Sequence, residues 1–261
     1  MRLHRCRHLT VQFACSLLCA SLLALLASCH VRELGATVGC GNIQKLQTGM
    51  GLLNTPGVLL GNIIDLDPGS KHAGYGGRFI FQNADVTIQP GDNKTQISDS
   101  SALSITFSGQ VSKEVSAQLA SQLSDNMQLN LANSEHHQID HPDPILNRSD
   151  NLTTLKNKLL NAQGHRFLLV VAGNTAQSVT FSLKSGTTNK LSVNIPNTGQ
   201  FDLTVDYSCQ GDLTKELSAE HAAGNLTFFK VSEIVLNSDN SLSTKTFDQN
   251  LGDYDLTNAA R

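Results

Sequence analysis

The sequence predicts an α+β fold, predominantly antiparallel β in a sandwich-like meander, with two or three short helices. Three observations carry that prediction. Apolar and polar residues alternate in many short runs, the period of a strand with one buried face. Turn residues separate four of these runs at roughly twelve-residue spacing, the cadence of a β-sandwich or barrel. In two places the apolar period lengthens to about four, as on one face of an amphipathic helix.

The N-terminus is read first. Met1 to His8 carry Arg2, Arg5 and Arg7 and no acid, and Leu9 to Leu26 form an uncharged, Leu- and Ala-rich stretch. A basic head, an apolar body and a small-residue end describe a secretory signal. The closing residues Leu26-Ala27-Ser28-Cys29 resemble the lipobox of bacterial lipoproteins. That resemblance covers processing only, with no family indicated for the rest of the chain. It implies cleavage before Cys29, a diacylglycerol on its sulfur and an acyl chain, such as palmitate, on its freed amine. More than one chain holds a protein firmly to a bilayer, where a single chain binds reversibly. The residue after the cysteine is His30 and not Asp, which by the same resemblance implies the outer membrane.

Removing residues 1–28 from 261 leaves 233, with 16 basic and 22 acidic side chains, a net charge of −6. That balance argues against a nucleic-acid partner, which needs a basic face. Cys6, Cys15 and Cys19 leave with the signal and Cys29 takes the lipid, so Cys40 and Cys209 remain. In an oxidising compartment this pair is expected to form a disulfide. It closes a loop of roughly 170 residues, for which chain entropy gives about 5 kcal/mol as an upper figure.

Segment by segment, residues 29–45 are expected to be lipid anchor and tether, and 46–135 an N-terminal β-rich half with one helix. Leu46 to Ile64 mix apolar residues with glycines and read as buried extended chain with turns, or else as a membrane-inserting hairpin. Asp65 to Gly69 reads as a turn and Gly74 to Gly77 as a flexible loop. Phe79 to Gln82, Val86 to Gln89 and Leu103 to Ser108 alternate as strands. Val111, Val115, Leu119 and Leu123 recur every four residues and predict a helix over about 112–124, after which Met127, Leu129 and Leu131 return to strand. The polar, proline-bearing stretch around 136–145 is the expected linker, and 146–261 the C-terminal helix and sandwich-like half. Ser149 or Asp150 caps a helix with Leu152, Leu155, Leu159 and Leu160 on its apolar face. Strands then follow at Phe167–Val171, Val179–Leu183, Leu191–Ile195 and Phe201–Tyr207. A short helix near 213–223, strands at 226–236 and 241–247 and a loosely held tail after Gly252 complete the reading.

The densest chemical cluster is Glu135-His136-His137-Gln138-Ile139-Asp140-His141-Pro142-Asp143. Imidazoles and carboxylates so close together suit a divalent metal such as Zn²⁺, with His136, His137, Asp140 and His141 as ligand candidates. His136, Asp140 and His141 are similar in placement to three side chains of the His-x-His-x-Asp-His motif of metallo-β-lactamase-like hydrolases. Gln138 stands where that motif has its second His, and only His165 and His221 lie downstream to complete a ligand set. A solvated hinge is the competing reading. No Gly-x-Ser-x-Gly elbow and no His-Glu-x-x-His motif occurs. Trp is absent and Tyr75, Tyr207 and Tyr254 are the only tyrosines, which disfavours sugar stacking; Tyr207 is in phase with the core face of its strand.

The expectation is therefore a non-enzymatic, lipid-anchored envelope protein that contacts another envelope or extracellular protein. No catalytic residue, cofactor or small-molecule ligand is indicated. Two alternatives stay open: a membrane-perturbing or pore-forming protein, and a metal-dependent hydrolase built on the 135–143 cluster.

Overall fold

The computed structural model describes residues 31–39, 46–48, 57–98, 101, 103–185, 189–208 and 226–259. Strands β1 to β5 are Arg32–Gly39, Asn62–Asp67, His72–Arg78, Val86–Pro90 and Lys94–Gln96. Strands β6 to β10 are Ser104–Ser108, Met127–Ala132, Glu135–Ile139, Arg166–Thr175 and Ser178–Leu183. Strands β11 to β15 are Lys190–Ile195, Gly199–Tyr207, Phe228–Leu236, Leu242–Thr246 and Asp255–Asn258. The helices are α1, Lys113–Asp125, α2, Pro142–Leu146, and α3, Ser149–Asn161. The α+β, mostly β class expected from the periodicity is the observed class.

Three sheets organise these elements. One runs β11-β12-β1-β6, a second β10-β7-β5, and the largest β14-β13-β9-β2-β3-β15, with β8 joining β9 to β4. The first two enclose a core with α1, built from residues such as Val38, Leu119, Leu129, Phe181 and Phe201. The helix lies there because its four-residue apolar period buries Leu119 and Leu123, while Ser112 caps its first turn by accepting from Val115 N–H at 3.3 Å.

The large sheet is buried on both faces around β9, which explains the unbroken apolar run of that strand. Leu168 and Val170 enter a core closed by Val58, Phe229 and Tyr254. Phe167 and Leu169 enter the opposite core, closed by Ile145, Leu146 and Leu155 of α2 and α3. A strand covered on two sides loses the alternation that marks a half-exposed one.

Several local expectations change. Arg32 to Gly39 fall in the expected tether, yet β1 is an interior strand, parallel to β12 and antiparallel to β6. Residues 136–145 are β8 and α2, with Ile139, Ile145 and Leu146 buried, and not an exposed linker. The proposed halves interleave, since β1 pairs with β12, β7 with β10 and β2 with β9. The four alternating runs do form β9 to β12, but among them only β11 and β12 are neighbours. Asp65 belongs to β2, and the turn begins after Asp67, whose Oδ1 accepts from Gly69 N–H at 2.9 Å.

The Gly74–Gly77 stretch lies in β3 rather than in a loop. A side chain at Gly76 would meet Ile63 at 3.1 Å, and Gly77 takes φ +127° beside a register shift, so glycine here serves a bulge. Phe79 to Gln82 form no strand, because Phe79 turns into the core and the chain enters a 3₁₀ turn at Asn83–Asp85. The tail is held: Tyr254 is fully buried and β15 lies parallel to β3. The helix expected near 213–223 lies outside the described residues, as do positions 49–56 of the glycine-rich apolar segment, while Leu46, Val58, Ile63 and Ile64 beside them are buried.

Candidate functional site

The His/Asp cluster occupies β8 and the turn into α2. Successive strand residues point to opposite faces of a sheet, so His136 and His137 diverge. His136 Nδ1 lies 2.6 Å from Asn174 Oδ1 on β9, its cross-strand partner. His137 Nε2 lies 3.4 Å from Glu135 Oε2, an ion-pair distance whose geometry makes no hydrogen bond. Asp140 Oδ2 accepts from the Thr87 hydroxyl of β4. His141 sits at φ +51° as the residue before α2, where it reverses the chain. His136, His137 and Asp140 are thus tied to three different local partners. Among the described residues no three or more His, Cys, Asp or Glu side chains converge as a metal-ion cluster.

The lipidation residue Cys29 and the disulfide candidates Cys40 and Cys209 lie outside the described residues. The strands leading to the two cysteines are paired in parallel, Arg32 opposite Phe201 through Val38 opposite Tyr207. Ser208 N–H then donates to Val38 O at 3.1 Å. Tyr207 stacks on Phe181 with ring centres 6.0 Å apart and packs against the first core, as its strand phase predicts. Burial pushes its hydroxyl up to about 12.

Two groupings were not legible in the sequence. Arg166 on β9 binds Glu233 on β13 through Nε at 3.0 Å and through Nη2, and reaches Asp248 at 2.7 Å. Lys245 Nζ approaches Glu233 at 3.2 Å. Burial pushes the Glu233 carboxyl up, but hydrogen bonds from Arg166 and Lys245 outweigh it and hold the group below its ordinary value. Arg166 also lies 4.7 Å over the Phe247 ring, so this charged cluster fastens β14 and its following loop to the sheet centre. The second grouping is a cavity of about 320 Å³ against β8, β9 and β13, lined by His136, Gln138, Lys230 and Ser232 with Ile139 and Val171. Its members come from positions 94 residues apart (136 and 230), which strand pairing alone brings together.

Among the described residues the sheets leave edges. β6 and β11 bound the first sheet, β5 and β10 the second, and β4, β14 and β15 are outer strands of the third. β4 carries no charged residue and exposes Ile88 at 60%. Among the described residues no helix is long and apolar enough to cross a membrane.

No protein-family model matches this chain, and no curated protein matches it. Among solved structures it is similar to a bacterial gasdermin from Bradyrhizobium tropiciagri, at 16% identity over 79% of this chain and 86% of that one. The TM-score of that match is 0.31, too low to carry a conclusion about this chain.

Proposed function

We propose that this chain is an outer-membrane lipoprotein that works by binding another envelope or extracellular protein, without catalysing a reaction. The Leu26-Ala27-Ser28-Cys29 motif carries the anchor, and the position of β1 bears on how an anchored body sits. The first residue of that strand, Arg32, follows Cys29 by three positions and already lies in register with Phe201 in the interior of a sheet. Three residues of extended chain reach about 10 Å at most. An acyl-bearing Cys29 therefore leaves the body no long tether: the four-stranded sheet is held against the bilayer by the end at which Arg32 and the β11–β12 turn lie.

Such a body meets partners from a fixed orientation, through polar sheet surfaces and open strand edges. An outer strand offers unpaired backbone donors and acceptors that an extended segment of another protein can join. β4 suits this through its exposed Ile88, and like β6 and β10 it is free of the edge charges that discourage pairing.

The test has two parts. Mass spectrometry of the mature protein is expected to find an acylated Cys29 at its N-terminus, and Cys29→Ser to abolish both the acylation and the cleavage before residue 29. An intact Met1 or an unmodified Cys29 thiol overturns the anchor. A photo-crosslinking residue at position 88 is expected to give a discrete adduct in cells, weakened by Thr87→Lys beside it. Dye release from liposomes by the purified protein, with no such adduct, replaces binding by membrane perturbation.

A further inference from the structure

We infer that the cavity against β8, β9 and β13 binds a small carboxylate that carries a short apolar body. The cavity has about 320 Å³, the small end of the range that ligand sites occupy. Among the described residues its lining contains Lys230, His136, Ser232 and Gln138 and no carboxylate, within a mature chain whose net charge is −6. A basic, acid-free cavity on an acidic protein selects anions by charge. Lys230 makes no ion pair with an acid among the described residues, so its ammonium is not committed to a neighbouring carboxylate there.

The His136 ring is held in place at the cavity wall: Asn174, 1% exposed, accepts from its Nδ1–H. Asn174 spends a buried amide on that contact, with its Nδ2 unpartnered among the described residues. A ligand carboxylate accepts from the Lys230 ammonium and the Ser232 hydroxyl. The rest of the described wall is apolar, from Ile139, Pro142, Val171 and Ala172, and adds no side-chain donors for the further oxygens of a phosphate. That wall fits a branched hydrocarbon next to the acid. Isovalerate has this chemistry, and so does the C-terminal carboxylate of a peptide ending in Leu or Val. The inference does not depend on the anchor at Cys29 or on pairing at β4.

The experiment is calorimetric titration of the full mature protein in detergent with sodium isovalerate, inorganic phosphate, and a short peptide ending in Leu as free acid or as amide. Saturable isovalerate binding is expected, weakened about tenfold or more by Lys230→Met and retained by Lys230→Arg, since loss of a charge-assisted hydrogen bond has roughly that effect. Thermal unfolding of each variant checks that it remains folded, as expected for a solvent-exposed lysine on a strand. The peptide acid binding more tightly than isovalerate, with the amide silent, identifies a chain terminus as the source; equal or weaker binding of the peptide acid identifies a free acid. No saturable isovalerate or peptide binding at millimolar concentration, phosphate binding as tightly as isovalerate, or a Lys230→Met protein that binds like the parent overturns the inference.

Discussion

Replacing Asn151 with Ala tests how the large sheet holds the helices against it. Asn151 is 4% exposed in the first turn of α3. Its Oδ1 accepts from Ile80 N–H at 2.9 Å, and its Nδ2 donates to Ile80 O at 2.7 Å and Ile145 O at 3.1 Å. The side chain thus stands in for a missing strand partner along the segment between β3 and β4, and also joins α2 to α3. Alanine removes three hydrogen bonds at about 1 kcal/mol each, with an added cost wherever a backbone group is left dry. The Ile80 side chain is 59% exposed, so water reaches part of this site and offsets the added cost. The expected loss is then about 2 to 3 kcal/mol. Urea unfolding followed by circular dichroism reads it as a lower midpoint with an unchanged slope. Asn151→Asp keeps the acceptor but loses both donors and sets a charge against two carbonyls, so it is expected to lose at least as much. A loss under about 0.5 kcal/mol for the alanine variant shows that water replaces the amide and refutes the reasoning. Asn151 also heads an Asn-Leu-Thr sequon, and with both ends of its amide engaged it has no place for a glycan.

Further predictions concern the tail, the charge cluster, pH and the cysteines. Tyr254→Ala is expected to cost about 3 to 5 kcal/mol in urea unfolding, because it empties a fully buried ring position; a loss under about 1 kcal/mol returns the tail to a loosely held segment. Arg166→Met leaves Glu233 with Lys245 as its remaining partner and is expected to cost about 2 kcal/mol, with Glu233→Gln in the same background restoring part of it; absence of that rescue refutes the coupling. His165 is raised above 6.5 first by its hydrogen bond to Asp65, with the charges of Asp65 and Asp67 adding to that and burial opposing it. Its stabilising effect is therefore complete below 6.5 and lost as pH rises through the raised value. His165→Gln is expected to narrow its gap from the parent on the alkaline side, by less than about 1 kcal/mol because the pair is partly exposed; a gap that widens with pH refutes it. For the cysteines, thiol titration of the denatured, unreduced mature protein is expected to find Cys40 and Cys209 unreactive; two reactive thiols rule out the bond.

Much of the local structure was legible because it obeys a simple period. The run Val115, Leu119, Leu123 gave α1, and Leu191 to Ile195 with Phe201 to Tyr207 gave the β11–β12 hairpin, since each buries one face only. Legibility failed where burial or chain geometry departed from that rule. β3 reads as a loop because Gly76 makes room for Ile63 and Gly77 carries a positive φ, requirements set by pairing with a neighbouring strand. The candidate metal cluster reads as a site because its residues are adjacent in sequence, but adjacency in a strand sends His136 and His137 to opposite faces. The cavity shared by His136, Lys230 and Ser232 left no mark in the sequence, since β9 has to lie between β8 and β13 before those side chains meet.

By itself, the amino-acid order determined the mostly β class, the places where most strands and helices fall, and the export and anchoring expectation carried by residues 1–29. These depend on periods of two and four, on charge and on short motifs, all of which act within a few residues of chain. Only the tertiary structure decided that β1 lies between β12 and β6, that the two expected halves interleave, and which side chains share a cavity. Strand pairing joins residues up to about 170 positions apart, and its register is set by the simultaneous burial of several faces, which no local window of sequence contains.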